Sequence, residues 1–280
     1  MQSVTRRQFI LGSAAALAGA AIELKANPLG MPIGCQTYIF RETIGKDFQG
    51  TLKKIASYGY QTIEMCSPAG YTQAGFGPLV DLKTPEMRRM IHDAGLDCVS
   101  SHFTFPELKE HLDDRIAFAK ELGLTQMICS SFWLPDNAPL AAWQQACDEL
   151  NKAGEHMAKT GIQLGFHNHH FEFREIDGVL IYDELMKRLD PKLIKMQFQI
   201  AIPLQFDPIA VVSKYPGRFV SIHLSDRLAD GKLTPIGTGT IDWKKMFAAA
   251  KAGGIKNYFV EMDGDDLMRA SVPYLHNLKA

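Results

Sequence analysis

Cysteine is sparse in this 280-residue sequence, and none of the five forms a CxxC pair. Cys35, Cys66, Cys98 and Cys129 fall in runs that read as strands, and Cys147 in a long amphipathic segment. That pattern argues against a disulfide framework or a zinc knuckle and fits small buried side chains. No run of like charges and no low-complexity tract occurs. Lys+Arg 30 against Asp+Glu 31 leaves a net charge of -1. The basic field that a nucleic-acid partner requires is therefore missing. Neither G-x-G-x-x-G nor G-x-x-x-x-G-K-[ST] is found, so nucleotide-binding folds lose support.

What remains is an ordinary globular composition, 46% hydrophobic and 22% charged, ample for a sizeable core. The N-terminus carries Arg6-Arg7 ahead of an Ala/Gly-rich apolar run to about Ile22. Twin arginines before a mildly apolar segment read as a Tat-type export signal over residues 1–26, with Ala18-Gly19-Ala20 as one cleavage site and Leu24-Lys25-Ala26 as a weaker second. The run is too short and too glycine-rich to span a membrane. The expectation is a periplasmic or otherwise exported protein with no stable membrane association after cleavage; self-association stays open. Tat cargo travels folded, which suits a protein that loads its metal first. Phosphorylated substrates are scarce outside the cytoplasm.

From residue 27 onward, short apolar runs alternate with amphipathic ones. Strand candidates are 33–38, 61–65, 97–102, 126–130, 163–166, 194–199, 219–223 and 257–262. Helical spacing covers 48–58, 84–94, 113–122, 140–160, 182–189, a short stretch ending near Tyr215, 243–252 and 265–278. Thr84-Pro85 reads as an N-cap followed by Pro at N1. Eight strand–helix alternations predict an α/β single domain over 27–280, a (β/α)8 TIM barrel, better than an open doubly wound sheet.

In such a barrel the C-terminal strand ends carry the chemistry. The stretch Leu164 to Phe173, LGFHNHHFEF, is the richest of these ends. His167 and His169 are spaced i, i+2 and share one face of an extended chain. The other strand ends supply Glu64, His102, Gln199, His223 and Glu261, whereas His92, His111, His156 and His276 fall in helices or loops. Imidazole nitrogens mixed with carboxylate oxygens suit a divalent transition metal, Mn²⁺, Co²⁺, Zn²⁺ or Fe²⁺. Gln199 offers only a neutral, weak ligand. His167-Asn168-His169 is not an HNH nuclease motif, whose residues are dispersed over a ββα unit.

These blocks resemble the xylose isomerase-like TIM barrels, the sugar phosphate isomerase/epimerase group. The likeness rests on Gly59–Glu64, Phe166–Phe173, Arg218 through His223 to Asp226, Gly237–Trp243 and Phe259–Asp263. It covers nearly all of the chain beyond the leader, and it marks the superfamily rather than one reaction. The resemblance implies a metal held from strands five to eight, here by His167 or His169, Gln199, His223 and Glu261. A histidine replaces the first family glutamate, and Gln199 stands where an aspartate is usual. With Glu261 alone of the two glutamates, a two-base epimerase mechanism is in question.

The leading expectation is a sugar isomerase/epimerase-type enzyme that takes a proton next to a sugar carbonyl through a metal-stabilised enediolate. His167, His169 or Glu64 is the candidate base, with Glu261 as a further catalytic group. His102, Glu172, Asp226 and Arg227 are expected to orient substrate hydroxyls or the site's own ligands. The substrate would be a small sugar or keto-sugar. A keto-glycoside lyase or hydrolase on the same scaffold is one alternative. An exported sugar-binding barrel without catalysis is another, motivated by Gln199. An endonuclease IV-like phosphodiesterase would need a basic groove that the composition does not provide. Phe40, Tyr71, Phe132 and Trp133 are candidates for stacking on a sugar face.

Overall fold

The computed structural model describes residues 27–280, so the expected export leader lies outside the described residues. Eight parallel strands close into a barrel: β1 (Gly34–Gln36), β2 (Thr62–Cys66), β3 (Asp97–Phe103), β4 (Gln126–Cys129), β5 (Gln163–His167), β6 (Ile194–Gln199), β7 (Phe219–Leu224) and β8 (Asn257–Val260). Each strand pairs with its sequence neighbours, and β8 closes on β1 through Gly34↔Phe259 and Cys35↔Val260. Helices α1 (Phe48–Ser57), α2 (Thr84–Asp93), α3 (Phe105–Glu110), α4 (Leu112–Leu122), α5 (Leu140–Met157), α6 (Ile181–Arg188), α7 (Pro208–Ser213), α8 (Trp243–Gly253) and α9 (Asp265–Asn277) surround it. Among the described residues no helix is long and apolar enough to cross a membrane.

Strand side chains alternate between helices and barrel interior. On β6, Phe198 faces outward against Tyr182 of α6 at 6.2 Å between ring centroids, while Gln197 and Gln199 sit inside. Register shifts at Ile63/Glu64 and Met196/Gln197 lie in the ladders that end in His102 and His223. Such irregularities re-aim the side chains that follow. Gly165 is required by crowding, because a Cβ there would stand 2.6 Å from Cδ1 of Ile128.

The caps explain most helix ends. Asp47 accepts from Gly50 N at 2.8 Å and Asp242 from Lys245 N at 3.1 Å, while Gly123 and Gly254 close α4 and α8 in the left-handed conformation. Two sequence expectations need correction. Lys83, not Thr84, is the N-cap of α2, and no side-chain bond forms there. Helix α3 was not anticipated, although Thr104-Phe105-Pro106-Glu107 carries its full capping box. Two short hairpins, 175–180 and 226–234, build up the loops after β5 and β7.

Candidate active site

The interior of the barrel becomes polar toward its C-terminal end, and Glu64 is the hub. Its carboxylate is fully buried and accepts from Gln36 Nε2 at 2.7 Å, Ser100 Oγ at 2.5 Å and Gln197 Nε2 at 2.7 Å. His223 Nε2 lies 2.6 Å and His102 Nε2 3.1 Å from its Oε2. Burial pushes this carboxyl up, but the His102 and His223 charges overcome it and hold the group far below the usual carboxylate range. Glu64 was expected as a candidate base. It lies beneath the cavity rather than in its wall, with both oxygens committed, so it positions the imidazoles above it.

Four imidazoles form the next layer. His102 stacks on His223 at 5.3 Å with an interplanar angle of 8°, and His167 lies 4.9 Å from His102, 4.6 Å from His223 and 4.8 Å from His169. One ring nitrogen from each of His102, His167 and His223 falls within 4.8 Å of the others, a cluster able to hold a metal ion. His223 bridges two carboxylates, with Nδ1 2.9 Å from Glu261 Oε2 and Nε2 on Glu64. Burial alone would lower its basicity, but Glu64 and Glu261 raise it to about 9. Burial also raises the Glu261 carboxyl, yet the facing His223 brings it below its ordinary value.

His167 and His169 behave oppositely. Burial, reinforced by His223 and the other imidazoles, drops His167 well below the usual histidine value. Burial lowers His169 to about 4. Both rings are thus neutral near pH 7, and the Nδ1 atom of each is buried with no hydrogen-bond partner. His167, with its orphaned ring nitrogen, belongs to the three-histidine cluster beside the Glu261 carboxylate on His223, a donor set that fits a divalent transition metal, and His169 adjoins it. Gln199, expected among the ligands, is turned the other way. Its Nε2 donates to Glu261 Oε2 at 2.5 Å and its Oε1 accepts from Ala201 N at 3.2 Å. It supports Glu261 rather than offering an oxygen.

The cavity above has a volume of about 420 Å³ and is lined by His102, His167, His169, Gln199, Arg227 and Glu261, with Tyr38, Arg41, Tyr71 and Trp133 toward its mouth. Of the aromatic candidates, Tyr71 and Trp133 face it, whereas Phe40 and Phe132 are core. Trp133 is 58% exposed and holds a left-handed φ of 50°, unusual for so bulky a residue. Its ring lies 4.8 Å from His169. Arg41 and Asp263 pair at the rim, 3.4 Å apart.

Two further expected residues act from behind. Glu172 is buried, accepts from His169 N at 2.7 Å and Ser131 Oγ at 2.8 Å, and so ties the His169 loop to the Trp133 loop. Burial raises its pKa to about 7, against the hydrogen bonds that oppose it. A raised carboxyl binds its proton more tightly in the folded state, so the associated stability is full below about pH 4.5 and is lost as pH rises through about 7. In metal-free protein, the change in unfolding free energy between pH 5 and pH 8, from urea titrations, should be less favourable in the wild type than in Glu172→Gln by about 2.5 kcal/mol. An identical slope in the variant would refute this assignment.

Asp226 does not line the cavity, contrary to expectation. Its Oδ2 accepts from Gly237 N at 2.9 Å, Gly239 N at 3.1 Å and Trp243 Nε1 at 2.8 Å, and its Oδ1 from Arg227 N at 2.9 Å. A Cβ at Gly239 would stand 2.1 Å from Asp226 Oδ1. The segments around Asp226 and Gly237–Trp243 are therefore one device that fixes the loop bearing Arg227. Asp226→Ala should cost about 3 kcal/mol, because buried donors lose a charged acceptor. Thermal unfolding compared with Thr238→Ala, an exposed change in the same loop, checks this; equal melting temperatures would contradict it.

Sequence reading missed Gln36, Ser100, Gln197 and Ser131. They are ordinary polar residues whose importance comes from partners far away in the chain, and no local pattern marks them. Residues 52–277 match the family model described as xylose isomerase-like TIM barrel. The inosose dehydratase of Geobacillus thermodenitrificans (strain NG80-2) is 25% identical over 267 residues, covering 79% of this chain and 88% of that protein. A solved sugar phosphate isomerase/epimerase from Parabacteroides distasonis ATCC 8503 superposes with a TM-score of 0.74 at 25% identity, covering 88% of this chain and 94% of its own. The IOLI protein, solved with a bound zinc atom, has a TM-score of 0.63 at 12% identity, covers 88% of this chain and 94% of its own, and shares the fold alone.

Proposed function

Because the chain belongs to the xylose isomerase-like TIM barrel family, we propose that it is a carbohydrate-processing enzyme that removes a proton next to the carbonyl of a keto-sugar or keto-cyclitol. One observation carries this reading. A single cavity receives His169 with an unpartnered Nδ1 beside the His102–His167–His223 cluster and Glu261. A divalent cation held by His102, His167 and His223, with Glu261 beside them, would supply Lewis-acid polarisation of the carbonyl.

The remaining work falls to the chain's own side chains. His169, neutral near pH 7 and in the cavity wall, is the imidazole that accepts the proton. Glu64 holds His223 through Nε2, so the ring presents Nδ1 toward Glu261. Arg227, Tyr38 and Trp133 hold and cover the sugar. Among the described residues Glu261 is the one carboxylate in the inner wall of the cavity, since Asp263 sits at the rim paired with Arg41. Epimerisation through two acids on opposite faces lacks its second acid. Loss of a β-leaving group after proton removal needs only one base on one face, and the likeness to an inosose dehydratase supports that outcome. Isomerisation or epimerisation is the second reading, favoured by the likeness to the Parabacteroides protein, with a second imidazole as the other proton carrier.

Export is part of the same proposal and rests on Arg6-Arg7 and the apolar run behind them. Keto-sugars and inososes incubated with the protein in D2O, with Mn²⁺, Co²⁺ or Zn²⁺ added, should exchange the hydrogen next to the carbonyl. An unsaturated ketone should accumulate if elimination follows. No exchange with any metal would remove the catalytic reading and leave a sugar-binding barrel.

A further inference from the structure

A second cavity opens beside the first on the same rim of the barrel, between the loop after β6 and the loop after β7. Its volume is about 460 Å³; Ile200, Ile202, Phe206, Ile209 and Ile241 give it an apolar wall, and Asp207, Asp242 and Lys245 add charged groups to the lining. Ala201, Ser225 and Arg227 line both cavities and form the partition between them. Two polar groups in that partition have no partner among the described residues. Ser225 is only 2% exposed and its hydroxyl makes no hydrogen bond, and the Arg227 Nε is likewise buried and unpaired. Buried polar groups are rarely left unsatisfied unless something else supplies the partner.

We infer that the substrate is a glycoside with an apolar, ring-containing aglycone, its sugar in the histidine cavity and its aglycone in the second one. The inference rests on the carbohydrate reading of the first cavity and extends it. The bridging oxygen of such a molecule is an acceptor at the point where the two cavities meet. There the Arg227 guanidinium, which lines both cavities, is the donor at hand. The size agrees as well. A cavity of about 150 Å³ already takes benzene, so the second one holds an aromatic system larger than one ring. A free monosaccharide would leave this apolar surface unused.

Isothermal titration of the full protein with 4-nitrophenyl β-D-glucoside and with methyl β-D-glucoside tests the idea. The aryl glycoside should bind at least about tenfold tighter, from the apolar area it buries. Ile209→Arg, which fills the second cavity, should erase that difference while leaving methyl glucoside binding unchanged. Leu204→Asp, at a position 67% exposed, should reduce the difference without endangering the fold. No aryl preference in the wild type, or a preference that survives both variants, overturns the inference. If neither glycoside binds, the exchange experiment on keto-sugars judges the sugar reading separately, and 4-nitrophenol decides on the second cavity. Binding that Ile209→Arg removes sustains the apolar subsite, and no binding overturns it.

Discussion

Glu64→Ala is expected to lower the unfolding free energy by about 3–5 kcal/mol, seen as an earlier urea midpoint with an unchanged slope. The size follows from what the carboxylate leaves behind. Gln36, Ser100 and Gln197 each donate to it, and His223 and His102 face its Oε2. In metal-free protein, removing it strands a buried imidazolium at His223 and several buried donors in a place water does not reach. Glu64→Gln keeps the shape and part of the hydrogen bonding, so its cost should be smaller, about 1–3 kcal/mol. A Glu64→Ala protein within about 1 kcal/mol of wild type, the worth of one ordinary hydrogen bond, would mean the hub is solvated or protonated.

His169→Ala should reduce kcat by about 10²–10⁴-fold on whichever keto-sugar the exchange screen identifies. Its metal content and melting temperature should stay near those of the wild type. The separation follows from geometry, because His169 lies outside the three-histidine cluster and its backbone, not its ring, is what Glu172 holds. Glu261→Gln should instead lose both activity and metal, since its carboxylate sits directly on His223 Nδ1. Elemental analysis beside steady-state kinetics checks the pair. Loss of metal in His169→Ala would move that residue from base to ligand.

Much of this architecture was legible along the chain. Apolar runs bounded by glycine and proline marked the eight strands, and side-chain periodicity marked most helices, because both signals arise within a few residues of one another. The strand ends named His102, His167, His169, His223 and Glu261, all of which meet in one place. The sequence determined the barrel, the rim on which the site lies and the nitrogen-rich character of that site. Tertiary structure decided the roles. Glu64 was a candidate base, while Glu172 and Asp226 were expected to orient substrate hydroxyls or the site's own ligands; all three hold other groups of the chain. Gln199 turned its amide nitrogen, not its oxygen, to the site. The cavity beside Arg227 was invisible because its walls come from two separate segments, 200–209 and 225–245, whose approach loop closure permits at small cost. Local periodicity fixes where a side chain starts. Which atoms lie within 3 Å of its far end, and therefore its charge and its task, is set only when distant strands close into the barrel.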